Sequence, residues 1–414
     1  MRITFVVAVY PPESEPTAVM ASELAQHWSK QGHSVTVICT FPNRPHGVIY
    51  KGFRRRPWLR TGTENLRILR LWTWLIGRKR RHLNRILENV SFGVTSSIAL
   101  LFLKKPDVLI LESWAIAAQF MNVTIARIRR IPVVNYVKDL YPEAMNAAGM
   151  LEKKSLLHKI MLHTDRAVCR SAACSIVISE KMKDTLVESR SLPPEKVKVV
   201  RDWLDLDTIH PFDGANTWRS DVGIPKDDVV FMFAGTMGYA SGVDILVEVA
   251  DLLRDIPGIR IVCVGEGHLK EVLIRGKSQR NLSNLTILDF QPRQRVNEMQ
   301  SSADAMLLIT SVEMGMSSVP SKLITYLAVG KPVLCAVQDT SDIADLVKTT
   351  EIGLVVPPGD ATKIKEGIIE LAAMGRDLLS AKGRKAREVA QQRFSISRAT
   401  QEFDALLAEV THVR

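Results

Sequence analysis

Short apolar runs alternate with longer amphipathic stretches along the whole chain. In the first half, ITFVVAV, SVTVICT, DVLILES, VVNYV, CSIVIS and VKVV read as strands. Between the first two, Ala18 to Gln31 reads as an amphipathic helix closed by Gly32, and a long helix around Leu83 to Leu103 ends at Lys104, Lys105 and Pro106. A second alternating series starts near Val229, with VVFMFAG, IRIVCVG, LTILD, AMLLIT, PVLCAV and GLVV as strands. Its helices include Val243 to Arg254, Arg293 to Ser301, Lys322 to Val329 and Thr362 to Ala373. The intervening Arg201 to Lys226 is polar, carries Pro211, Gly214 and Pro225, and reads as an interdomain connection. The tail, Ala381 to Val413, reads as two helical stretches broken around Phe394 and Ser395.

This alternation predicts the α/β class: two Rossmann-like, doubly wound domains facing a cleft, at residues 1–200 and 201–390, with 391–414 as a helix packing back on the first. In open parallel sheets, ligands sit outside the carboxyl ends of the strands. That rule selects Val9 to Glu15, Glu112 to Trp114, Lys138 to Glu143, Arg201, Gly235 to Gly242, Gly265 to Gly267, Phe290 to Arg293 and Thr310 to Lys322.

Composition narrows the picture. A chain of 414 residues, 46% hydrophobic and 24% charged, is long enough for two cores and too apolar to be disordered. The five cysteines are scattered without zinc spacing, and the nine histidines include no HExxH, so a reducing cytosol without a structural metal is the simplest account. ITFVVAVY reads as a buried first strand rather than a signal peptide, and no stretch reaches the roughly 20 apolar residues that span a bilayer.

Charge is unevenly placed. Between Lys51 and Arg85 stand twelve basic residues (Lys51, Arg54, Arg55, Arg56, Arg60, Arg67, Arg70, Arg78, Lys79, Arg80, Arg81, Arg85) against one acid, Glu64, a surplus as large as the +11 of the whole chain. Phe53, Trp58, Trp72 and Trp74 lie among them. Cations interleaved with tryptophan suit anionic headgroups and the interfacial layer beneath them, and the apolar string LRILRLWTWLI favours a membrane over a nucleic acid. A solvated basic surface is the plain alternative.

Three glycine-rich turns carry the candidate chemistry. In VVFMFAGTMGYASGVDILVEVADLL, Gly235, Gly238 and Gly242 let backbone approach a ligand at a helix amino terminus, though the spacing is neither GxGxxG nor an NTPase phosphate loop, and a tight turn without ligand is an equal reading. IRIVCVGEGHLKEVL repeats the device: Gly265 and Gly267 flank Glu266, either a base or sugar acceptor or a solvated turn carboxylate. In AMLLITSVEMGMSSVPSKLITYLAVGKPVLCAV, a loop with Glu313, Gly315, Met316, Ser317 and Ser318 precedes Pro320-Ser321. Ser321 there reads as the amino cap of a helix that Gly330 and Pro332 stop. A diphosphate at this helix start would meet free N–H groups and the Lys322 ammonium.

These residues resemble glycosyltransferase family 4, which has the GT-B fold. AGTMGYASG, VGEGHLKE and GKPVL resemble its donor domain; VKDLYPEAMNAAGML, FQPRQRVNEMQSSADAMLLI and VPSKLITYLAVGKPVL are similar to the subgroup that builds bacterial surface polysaccharides, including aminosugar transferases. The resemblance runs from VVAVYPPESEPTA to the tail. It implies an acceptor-binding first domain, a nucleotide-sugar-binding second domain, retention of configuration, and no metal or other cofactor. The family's two glutamates, seven residues apart, fall on Ser317 and Thr325, both hydroxyls, with Glu313 as a substitute for the first. The family's Arg and Lys of the first glycine loop fall near Thr236 and Ser241, which leaves Arg201 and Lys322 as cations for the diphosphate. Gly238, Gly265, Glu266, Pro292, Arg293, Ser321 and Thr325 complete the expected donor set.

On the acceptor side, Asp139, after strand VVNYV, orients or deprotonates the acceptor hydroxyl, with Lys138 before it where the family commonly has histidine and Glu143 as a second candidate. A helix-start acid near Pro142 is the alternative reading of Glu143. Glu13, Glu15 and Pro16 in YPPESEP, where the family has a glycine pair, and Glu112 are expected to line the acceptor side. The expected function is retaining transfer from a nucleoside diphosphate sugar, UDP favoured, to a lipid-linked or polysaccharide-precursor hydroxyl, in the cytoplasm, by a protein held peripherally at the inner membrane face. A GT-B nucleotide-sugar epimerase and a non-catalytic nucleotide-sugar-binding subunit are the rivals. Product formation without acceptor, or donor binding without turnover, separates them.

Overall fold

The computed structural model describes residues 1–44, 47–53, 56–75, 81–113, 116–147, 151–153, 155–312 and 321–412, with backbone only at 81–85 and 240. The chain forms two compact units, Met1–Arg201 with Thr400–Arg414, and Asp202–Ala399. Each is built on a doubly wound sheet flanked by helices, wholly parallel in the second unit and parallel but for one edge strand in the first.

The first sheet holds β1 (Arg2–Val6), β2 (Ser34–Thr40), β3 (Trp58–Gly62), β4 (Leu66–Leu71), β5 (Val108–Glu112), β6 (Val133–Val137), β7 (Cys174–Val177) and β8 (Val197–Val199) in the order β3-β4-β2-β1-β5-β6-β7-β8. The second holds β9 (Val229–Ala234), β10 (Ile259–Val264), β11 (Leu285–Leu288), β12 (Ala305–Ile309), β13 (Val333–Ala336) and β14 (Gly353–Val356) in the order β11-β10-β9-β12-β13-β14. Strands covered on both faces are almost continuously apolar: all residues of β5, β6, β12 and β13 are buried, and only Glu112 and Asn135 among them are polar. The five cysteines are buried and free, and burial pushes the Cys39 and Cys263 thiols up to about 12, so both are inert core residues.

Two segments depart from the sequence reading. The string LRILRLWTWLI is not a uniform apolar patch: its first six residues are β4, parallel to β2 and antiparallel to the edge strand β3. Arg70, counted among the surface cations, is buried and donates to the carbonyls of Thr40 and Pro11, so the basic window is smaller by one. The polar stretch after Arg201 is also more than a connection. Trp203 and Trp218 are buried, and Leu204, Leu206 and Ile209 pack on the second core. Polar residues between these anchors masked them in the sequence.

The final helix, Ile396–His412, carries Phe403 and Asp404 into the first unit. Phe403 packs edge-on against Trp28 and Tyr136, at 6.1 and 5.2 Å between ring centroids. Asp404 accepts from the Trp28 indole N–H at 3.0 Å and from the Gln31 amide at 2.9 Å, and pairs with the His27 ring at 2.8 Å. Asp404→Ala strands a buried indole donor, and should cost about 1–3 kcal/mol in urea denaturation. An unchanged midpoint would show that this contact does not hold the tail.

Candidate functional site

In the second unit, β9 stays paired with β10 through Ala234↔Val264, but with β12 only at Phe231↔Ala305 and Met232↔Met306. β12 continues with β13 to Ile309↔Ala336. The sheet therefore splits between β9 and β12, where the strand order reverses. Such a split is where doubly wound sheets admit ligands. The backbone of Ala234 loses its strand partner there, and the fully buried Tyr326 replaces it. Its hydroxyl accepts from the Ala234 N–H at 3.0 Å and donates to the Ala234 carbonyl at 2.8 Å. That contact fixes the helix Ser321–Ala328 against the end of β9.

The glycines divide by their reason for being glycine. Gly265 and Gly267 have positive φ, and a Cβ would overlap the carbonyl oxygen of Gly235 at the first and of Met237 at the second. Both serve the close approach of the two loops, which continue to pair through Met237 N–H donating to the Glu266 carbonyl at 2.8 Å. Gly238 has no such constraint. Its φ of −93° suits any residue, and a Cβ would meet nothing nearer than Thr236 Cγ2 at 3.9 Å.

Lys322 lies across Gly235, where a Cβ would meet its Cε at 2.5 Å. Its Nζ donates to the Thr236 carbonyl at 2.9 Å and sits 4.2 Å from the Phe233 ring centroid. Burial pushes the ammonium down to about 8. Among the described residues no carboxylate pairs with it. A half-desolvated cation with no counter-ion among the described residues, at the opening of a parallel sheet, is chemically suited to an anion.

The other predicted residues on this unit are placed differently. Glu266 pairs with Lys270 at 2.5 Å, and Lys270 also pairs with Asp289, so Glu266 belongs to a solvated ion cluster at the loop tip. Pro292 and Arg293 are exposed beyond β11. The helix begins at Ser321 rather than after it, so Ser321 is in the first turn and its carbonyl accepts the Thr325 hydroxyl at 3.1 Å. Arg201 is the last residue of the first unit. Glu313, Gly315, Met316 and Ser317 lie outside the described residues.

In the first unit, the ends of β5 and β6 bring Glu112, Lys138 and Asp139 together. Lys138 N–H donates to the Ser113 hydroxyl at 3.0 Å, its Nζ lies 5.0 Å from the Tyr136 ring centroid, and Asp139 is exposed. Glu112 is buried at the end of β5.

Glu143 has a different partner. Arg190, completely buried, holds both Glu143 oxygens, with Nη2 at 2.9 Å, and donates from Nε to Asp165 at 2.6 Å and from Nη2 to the Tyr141 carbonyl at 2.6 Å. Partial burial opposes ionisation of Glu143, yet the guanidinium holds its carboxyl below the usual range. That makes it a structural anion and a poor base.

Glu13 is likewise committed. Its oxygens accept from the backbone of Tyr10, Asn43 and Arg44 at 3.3, 2.9 and 3.0 Å, although burial raises its carboxyl above the ordinary value. Glu15 flanks the helix Pro16–Lys30 without capping it, and its Oε2 is buried without a hydrogen-bond partner among the described residues; Pro16 is the helix's exposed first residue.

The family described as Glycosyltransferase Family 4 matches residues 17–208, and Glycosyl transferases group 1 matches residues 215–389. The two matches fall on the two units and together take in most of the chain. The chain belongs to the family 4 glycosyltransferases.

It is 24% identical over 376 residues to the putative colanic acid biosynthesis glycosyl transferase WcaI of Escherichia coli, covering 89% of this chain and 91% of that one. Among solved structures, it superposes on sucrose-phosphate synthase of Thermosynechococcus elongatus with a TM-score of 0.72 at 15% identity, over 100% of both chains. It also superposes on Alr3699/HepE of Anabaena in complex with UDP, with a TM-score of 0.70 at 14% identity, over 99% of this chain and 100% of that one. The fold is that of the GT-B glycosyltransferases.

Two elements of this transferase escaped the sequence reading. Tyr326 stands on the apolar face of SKLITYLA, and a phenol on such a face needs a partner for its hydroxyl, which was the available signal. Arg190 gave none, because its partners are 25 and 47 residues away. Removing the central charge of this triad should be severe: Arg190→Ala leaves two carboxylates facing each other, and should cost about 3–5 kcal/mol of stability. A loss below about 1 kcal/mol in chemical denaturation would refute the triad.

Proposed function

We propose that this transferase moves a sugar, with retention of configuration and without a metal, from a nucleoside diphosphate sugar to a hydroxyl of a lipid-linked or polysaccharide-precursor acceptor. UDP is the favoured nucleotide, and the cytoplasmic face of the cell membrane is the place of work. The observation that carries the donor half is the Lys322 ammonium, half-buried and without a carboxylate partner among the described residues, held at the Thr236 carbonyl in the loop that also carries the unobstructed backbone of Gly238. The UDP complex of Alr3699/HepE and the colanic acid role in the name of the Escherichia coli relative support this reading.

Departure of the nucleoside diphosphate develops negative charge on its terminal phosphate. Lys322 and the first-turn N–H groups of Ser321–Ala328 are the groups we assign to meet it. Asp139 is the group we assign to the acceptor hydroxyl, which it orients or deprotonates. Peripheral contact with anionic lipid rests on the exposed cations Lys51, Arg56 and Arg60 around Trp58.

Lys322→Ala should weaken UDP binding about ten- to hundredfold in calorimetry, with thermal unfolding little changed; unaltered affinity sinks the phosphate assignment. The pH dependence has a definite sign. Free Lys322 loses its proton near pH 8, whereas a bound diphosphate retains it, so affinity should fall by up to about tenfold per unit above that pH. Lys322→Arg, which keeps its charge, should flatten that limb, and an equally steep fall would exclude Lys322 as its source. Asp139→Asn should reduce turnover about a hundredfold or more with nucleotide affinity intact. Near-normal transfer would remove Asp139 from the chemistry.

A further inference from the structure

The helix Arg81–Phe102 presents an unusual outer face. Ile86, Val90, Val94, Ile98, Leu101 and Phe102 are all exposed, Phe102 at 86%. Their spacing places them on one broad stripe. From Ile86 to Leu103 the chain carries a single charge, Glu88, and that residue is buried, with its carboxylate against Asn43 and Arg44. A helix apolar on both its inner and outer faces is ordinarily enclosed, and here the outer face is not.

The neighbours of the stripe are aromatic. The segment after β4 runs beside the helix, with Trp74 N–H donating to the Ser91 hydroxyl at 2.8 Å and the Thr95 hydroxyl donating to the Trp72 carbonyl at 3.3 Å. Trp72 and Trp74 pack edge-on at 5.9 Å, and both are exposed. Between the β3–β4 hairpin and the helix lies an apolar groove of about 490 Å³, lined by Trp58, Leu71, Ile98 and Phe102 together with Arg60 and Arg67. Exposed Lys104 and Lys105 follow after Leu103, and exposed Lys51 and Arg56 precede β3.

Apolar stripe, tryptophan flank and cationic margin together match one partner. Aliphatic side chains suit the acyl layer, indoles the interface, and Lys and Arg the anionic headgroups. We infer that the outer face from Ile86 to Phe102, with the Trp58–Trp72–Trp74 flank, inserts into the interfacial layer of an anionic bilayer, and that the groove beneath Trp58 takes an acyl chain. This rests on the reading of the protein as membrane-associated but assigns the anchor to different groups. Insertion of the stripe provides the salt-resistant part of binding, whereas the basic window provides only the salt-sensitive part.

The test is flotation with vesicles of equal parts phosphatidylcholine and phosphatidylglycerol, at low and high salt. The full chain should float under both conditions. Val94→Glu with Ile98→Glu should weaken partitioning at least about tenfold at both salt levels, with UDP affinity and thermal unfolding unchanged. Phe102→Ser, at the most exposed position, is the second variant and should lose several-fold. Lys51→Gln with Arg56→Gln and Arg60→Gln should lose only the low-salt component. Stripe variants that partition like wild type overturn the inference, whatever the cation variant does. A cation variant that binds normally while the stripe variants are released removes the electrostatic reading and leaves the inference standing. A stripe variant that turns a dimer into a monomer in sedimentation without affecting vesicle binding makes this face a protein interface and overturns the inference.

Discussion

The hydroxyl of Tyr326, bonded to both backbone groups of Ala234, is the contact on which the donor end of the molecule depends. Where β12 leaves β9, a strand would otherwise end with an unpaired amide and carbonyl in an apolar interior, at a cost of a few kcal/mol. The phenol satisfies both groups and fixes the register between strand and helix. Lys322 sits four residues before it, so the same contact carries the ammonium over Gly235. Glycine at 235, 265 and 267 follows from the close passage of two loops and this lysine stem. At Gly238, by contrast, neither backbone conformation nor a close neighbour among the described residues requires glycine, and the backbone there is open.

Charge is distributed by the same logic. Arg190, Arg70, Glu13 and Glu143 are each engaged by groups that offset their desolvation: carboxylates and a carbonyl around Arg190, carbonyls around Arg70, amides around Glu13, a guanidinium on Glu143. These residues hold loops together. Lys322 is partly desolvated, and the polar and aromatic groups that meet its ammonium among the described residues, the Thr236 carbonyl and the Phe233 ring, do not neutralise it. In the reaction proposed above, whose leaving group is an anion, that imbalance is compatible with function, because a diphosphate placed there would offset it.

Much of the architecture was legible. All six strands of the second sheet appear where short, mainly apolar runs stand between turns, most plainly for the central β9, β12 and β13, because a strand covered on both faces tolerates little polar substitution. The edge hairpin β3–β4 was not read as strand, since edge strands need no such run: Trp58–Gly62 is mostly exposed, and arginines interrupt Leu66–Leu71. In the candidate site, local spacing selects Lys322 and Gly238; among the described residues Lys322 has no charged partner and Gly238 no close packing partner. Glu143, Glu13 and Glu266 were selected on the same grounds and have other partners, because a carboxylate at a strand end looks the same in sequence whether it faces ligand, arginine or backbone amides.

By itself, then, the sequence determined what depends on neighbours along the chain: the α/β alternation, the glycine turns, the lysine at a helix start, the concentration of cations and tryptophan before residue 85. Tertiary structure alone decided which charges are spent and which are available. Arg190 finds Asp165 and Glu143 across 25 and 47 residues, Tyr326 finds Ala234 across 92, and Asp404 finds Trp28 across 376. Hydrogen bonding and desolvation act over a few ångströms in space, and only the folded chain determines which groups meet at that range.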